Sequence, residues 1–166
     1  MRRLTMLAAA AIVAALLATG VALAQPSGQG SPTPVDETPI DLPAGAVFGN
    51  CDFPISLEYS GKAKTIELPG DRFIITSPGL KVTLTNLADP ENPVQVRLNI
   101  TGAFHRTILE NGDVVTVVTG RNLLGDPEAG FVLAKGRFSY VFDADGNLIQ
   151  PLSGKGTLTD VCTLIA

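Results

Sequence analysis

The chain contains two cysteines, Cys51 and Cys162, placed at the two ends of its β-rich part. If they are joined, the first and last strands lie within about 6 Å of each other, Cα to Cα, so the fold must return its C-terminus to its starting point. A metal site is the competing use of a cysteine pair, but it needs further ligands, and His105 is the only histidine. In an exported chain an even pair reads as a structural disulfide. Closing a loop of this length stabilises by roughly 4–5 kcal/mol in the chain-entropy model.

The N-terminus points to export. Arg2 and Arg3 form a positive n-region, an apolar or small run continues from Leu4 to about Ala18, and Ala22-Leu23-Ala24 offers the small-x-small pattern cut by signal peptidase. The run is shorter than the roughly 20 residues that span a bilayer, and a proline-rich segment follows it instead of a basic stop-transfer flank. Residues 1–24 therefore read as a cleaved signal peptide, leaving a secreted, extracellular protein with no stable membrane anchor. Residues 25–44, with Pro26, Pro32, Pro34, Pro39 and Pro43 among Ser, Gly, Thr and acids, read as a disordered spacer. Residues 45–166 are enough for one core, and a single β domain is expected there.

Charge narrows the partners. The full chain carries a formal charge of −4, and loss of Arg2 and Arg3 leaves ten basic against sixteen acidic residues. A net acidic domain has no electrostatic footprint for nucleic acid or anionic lipid, so no nucleic-acid partner is expected.

Strand signals fill the rest. Cys51, Phe53, Ile55, Leu57 and Tyr59 alternate with Asp52, Pro54, Ser56 and Glu58; Leu80, Val82 and Leu84 and then Val94, Val96, Leu98 and Ile100 alternate with polar residues in the same way. Two β-rich runs flank Asn111-Gly112, the strongest short-range hairpin signal. A two-residue type I′ turn there pairs Leu109 with Val114, Thr107 with Thr116 and His105 with Val118, whereas a type I turn with a bulge shifts that register. Further on, the apolar set of residues 131–142 changes parity near Gly136, as expected where a strand bends around a curved sheet. About eight to ten strands separated by turn residues, with no helical period beyond residue 24, predict an all-β antiparallel meander. Closure into a complete or nearly complete β-barrel removes both edges most simply, with a two-sheet β-sandwich as the alternative.

The strings GNCDFPI (49–55), LPGDRFIITSPGLKVTLTN (68–86), VTGRNLLG (118–125), GFVLAKGRF (130–138) and the terminal DVC (160–162) together resemble a group of small, exported actinobacterial single-domain proteins with a terminal cysteine pair. The resemblance spans the whole domain and implies export and the disulfide, and no catalytic residue. The Gly-Arg and Gly-Phe segments are more loosely similar to the dirigent and allene oxide cyclase barrels.

Few residues invite chemistry. His105 has no nucleophile elbow to serve, and too few ligand residues exist for a zinc site. Asp143, Asp145 and Asn147 imitate the start of a calcium loop but lack its bidentate Glu, so a hairpin turn is expected there and no metal or cofactor is implied. Strand parity places Asp160 on a face with Cys162 and two leucines, where Arg106 is a possible partner and Tyr140 a further polar group. Residues 121–130 read as the longest non-periodic loop of the domain, with Leu123 and Leu124 beside Arg121, Asp126 and Glu128: either a binding loop or a pair of leucines folded back as a plug. These features predict a non-catalytic binding or surface-interaction module for an unknown protein partner. The alternatives are a carrier with a barrel cavity for a small apolar ligand and a cyclase- or isomerase-type barrel using Asp160.

Overall fold

The computed structural model describes residues 30–46 and 51–166. The expected signal peptide lies outside the described residues. Among those residues the chain forms eleven strands: β1 (Thr33–Pro34), β2 (Ile40–Leu42), β3 (Ile55–Ser60), β4 (Lys62–Leu68), β5 (Arg72–Thr76), β6 (Lys81–Asn86), β7 (Gln95–Asn99), β8 (Ala103–Ile108), β9 (Val114–Asp126), β10 (Gly130–Phe142) and β11 (Leu148–Asp160). A 3-10 turn, Cys162–Leu164, follows. All pairings are antiparallel, in a seven-stranded sheet ordered β1-β4-β5-β8-β9-β10-β11 and a four-stranded sheet ordered β2-β3-β6-β7.

Neither sheet closes on itself, so the barrel expectation is corrected and the two-sheet alternative fits. The larger sheet nevertheless curls strongly. Asp126, at the tip of the β9–β10 hairpin, accepts a hydrogen bond from the backbone N–H of Leu152. Along β11, Leu152 lies eight residues from Asp160, the partner of Val132 near that same tip, a separation of roughly 26 Å in a straight strand. Only a sheet bent back over its own face brings the two together. The bend is built where Gly120, Gly136 and Gly156 stand side by side on three adjacent strands. A Cβ on Gly136 would lie 2.3 Å from the Lys155 carbonyl oxygen and 2.7 Å from the Gly156 Cα, so the strands can approach this closely only without side chains.

The hairpin at Asn111-Gly112 exists in the alternative register. Gly112 N–H donates to the Leu109 carbonyl and Leu109 N–H to the Asp113 carbonyl, with Gly112 at φ +87°, a turn with one more residue than the type I′ form. Ile108 then pairs with Val114, Arg106 with Thr116 and His105 with Val117. The one-residue offset puts Arg106 and Thr116 on the same face and His105 on the other, the reverse of the sorting expected from a two-residue turn.

Two cores result, on opposite sides of the β9–β10 tip. The smaller sheet contributes Ile55, Leu57, Val82 and Leu84 to a cluster with Phe131, Val161, Ile165 and the two cysteines. The inner face of the curled sheet gathers Val118, Leu124, Val132, Ala134 and Phe138, with Phe104, Tyr140 and Leu152 against them. Cys51 and Cys162 are bonded, their Cα atoms 5.3 Å apart. They lie just outside β3 and β11, tying the smaller sheet to the end of the larger.

Part of the expected spacer is folded. β1 pairs with β4 and β2 with β3, at one edge of each sheet. Val35, Ile40 and Leu42 supply apolar anchors that pack on the first core, and edge positions tolerate the prolines that a central strand would not.

Candidate functional site

Residues 121–126, expected within a loop, are the second half of β9. The apolar alternation that marks a half-exposed strand is missing because both faces are covered: Leu123 packs into the first core and the buried Leu124 into the second. Both leucines are therefore core residues of a strand. Asp126 is only 4 % exposed. Its Oδ1 accepts the N–H groups of Glu128 and Ala129 at 3.0 and 2.8 Å, and its Oδ2 that of Leu152 at 3.2 Å, so three backbone donors satisfy the carboxylate. Glu128 is exposed in the turn, and Arg121 is exposed on the outer face of the sheet.

Asp160 and Arg106 are not brought together as an interior pair. Asp160 is exposed at the end of β11, where its Oδ1 accepts the Cys162 N–H at 2.9 Å. Arg106 is half-buried in a cross-strand row with Thr116 and Tyr140 on the inner face. Burial pushes the Tyr140 phenol above its ordinary range, opposed by the Arg106 charge and the neighbouring Thr116 hydroxyl. The Thr116 Oγ1 is buried and lacks a partner in hydrogen-bonding geometry. Phe142 stands edge-on to Tyr140 at 5.7 Å between ring centroids. Asp143 closes an ordinary turn by accepting the Asp145 and Asn147 N–H groups at 3.0 and 2.7 Å. No group of three potential metal ligands occurs among the described residues.

The outer face of the larger sheet is different in kind. Ladder register places Lys64, Thr76, Ala103, Thr119, Arg137 and Lys155 in one row across β4, β5, β8, β9, β10 and β11. The same parity carries Arg72, His105, Arg121 and Lys135, while the acids of these strands, Glu67, Asp126 and Asp160, have the opposite parity. Arg121 sits directly opposite Lys135, and Arg137 directly opposite Lys155. Like charges facing each other across a ladder destabilise it. All four are exposed. Beside them Val117, Arg137, Phe138, Ser139, Ser153, Gly154 and Lys155 line a shallow, half-open depression of about 280 Å³.

Net charge concealed this arrangement. The acids Asp71, Glu110, Asp113, Asp143 and Asp145 lie in the three turns at one end of the meander, so a chain that is negative in total presents a sheet face bearing cations alone. Net charge carries no information about this row, which strand register alone assembles. A local signal was present: basic residues adjoin the bend glycines in Gly120-Arg121, Lys135-Gly136-Arg137 and Gly154-Lys155-Gly156. No family model, no curated protein and no solved structure matches the chain.

Proposed function

We propose that the chain is a non-catalytic binding module, exported through its N-terminal signal, that engages anionic partners through the outer face of its larger sheet. The carrying observation is the pair of like-charged cross-strand couples, Arg121 with Lys135 and Arg137 with Lys155. A surface selected only for stability would alternate these charges, and an arrangement that costs stability is accounted for by a partner that supplies the counter-charge. The disulfide accords with an oxidising compartment. Against the carrier and cyclase alternatives stands the inner face, where Phe104, Val118, Leu124, Phe138 and Leu152 pack on one another and Asp160 lies outside.

Ion-exchange chromatography tests the reading. With a sequence pI near 4.9 the chain should flow through a sulfonate resin at pH 7 if its charges were evenly mixed. Retention at low salt is expected, and its loss in the fourfold variant Arg121→Gln, Lys135→Gln, Arg137→Gln, Lys155→Gln. The same variant should melt no lower than the parent, because two repulsive couples are relieved. A parent chain that is not retained would overturn the proposal.

A further inference from the structure

Resting on that reading, the geometry points to a linear acidic polysaccharide, bearing carboxylate or sulfate groups, as the partner of the Arg121, Lys135, Arg137 and Lys155 quartet.

Three observations narrow the ligand to this class. First, the cations come in two couples related by two residues along β10, a step of about 7 Å in an extended strand, with the bend at Gly136 between them. Such an array suits anionic groups that recur along a chain, and a single small anion would use only one couple. Arginine in each couple can grip a carboxylate or sulfate through two parallel N–H donors, and lysine adds a point charge. Second, the groups interleaved with the cations are hydroxyls. Thr119 adjoins Arg137 on β9, Thr157 faces Lys135 on β11, and Ser139 faces Ser153 in the wall of the 280 Å³ depression. Cations with neighbouring hydroxyls match the alternation of acidic and hydroxyl groups on a sugar chain, and the depression beside Arg137 and Lys155 offers the concavity in which one ring can sit.

Third, the face lacks what the competing polyanions need. Binding of single-stranded nucleic acid relies on exposed aromatic rings that stack on bases. On β8 to β11 the aromatic residues Phe104, Phe138, Tyr140 and Phe142 have inner-face parity; Phe138, which borders the depression, is only 5 % exposed, and Phe131, of outer parity, is 2 % exposed beneath the smaller sheet. Attachment to an anionic membrane calls for apolar side chains that enter the interface beside the cations. The exposed large apolar residues Val94, Ile108, Leu109, Ile149, Leu158 and Leu164 all lie off the rows that hold the quartet.

The experiment is a set of calorimetric titrations of the full chain at pH 7 and low salt. The probes are oligogalacturonate, dextran sulfate oligosaccharide, neutral dextran, oligodeoxythymidylate and phosphatidylglycerol vesicles. The expected result is binding of at least one of the two acidic oligosaccharides, stronger than that of any other probe. The double variants Arg121→Gln with Lys135→Gln and Arg137→Gln with Lys155→Gln should each weaken it by about tenfold or more. Lys81→Gln with Arg97→Gln, on the smaller sheet, should leave it unchanged. Preferential binding of the oligonucleotide or the vesicles, lost in the same two variants, would overturn the ligand class and leave the basic-face reading standing. Binding of no anionic probe would overturn both, and binding that responds equally to the Lys81 and Arg97 control would overturn the location.

Discussion

The carboxylate of Asp126 and the backbone N–H of Leu152 meet at 3.2 Å, joining the tip of one hairpin to the middle of the edge strand on the far side of the bend. This bond joins β9 to β11 across the intervening β10, so it fixes the curl of the sheet along its strands and leaves the β1 and β11 edges unjoined. Asp126→Asn keeps the size but replaces one acceptor oxygen with an NH2 group that faces a donor. The expected loss is about 1–3 kcal/mol, read as a lower urea midpoint. A midpoint equal to the parent's would mean that the bond does not hold the curl.

Gly136 tests the bend itself. Its φ of +146° and the Lys155 carbonyl 2.3 Å from an added Cβ leave no room for a side chain. Gly136→Ala should destabilise by more than about 2 kcal/mol, against a gain of a few tenths to about 1 kcal/mol for the same change at an unstrained site. Urea unfolding of the variant decides between the two.

The disulfide closes a loop across 111 positions and fastens the smaller sheet to the end of β11. Replacing Cys51 and Cys162 together with Ser should remove up to about 4–5 kcal/mol and lower the thermal midpoint accordingly. Thermal unfolding measures the loss, and alkylation of the parent chain without reductant should label no thiol.

Tyr59 sets an alkaline limit. Burial pushes its phenol from 10.0 up to about 12, so the folded state holds the proton after the unfolded state has released it. The contribution is fully present below pH 10 and is lost as pH rises from there to about 12, on the order of 3 kcal/mol in all. Tyr59→Phe should make the fall in stability over that window shallower. Some slope should remain, because Tyr140 is shifted in the same direction. Denaturant midpoints taken across the window give the comparison, and identical slopes would show that Tyr59 ionises freely in the folded state.

Local chemistry in the sequence determined the elements: the period-two runs became β3, β6 and β7, the turn residues around Asn111, Pro69 and Asp145 became turns, and the terminal cysteines paired. Such features depend on neighbours a few residues away, or, for the cysteines, on there being one partner only. Tertiary structure alone decided whether the sheet closed, which register the Asn111-Gly112 hairpin took, and what residues 121–126 are. Period two is legible only when one face of a strand meets water, and β9 near its tip has a core on each side, so Leu123 and Leu124 stand adjacent and resemble a loop. The basic face was hidden for a related reason. Which side of a sheet a lysine or arginine faces depends on parity counted through every turn, and a one-residue difference at one hairpin inverts it. Composition adds charges without sign of direction, so the clustering of Arg121, Lys135, Arg137 and Lys155 on one face exists only because the β9–β10 and β10–β11 ladders set them side by side.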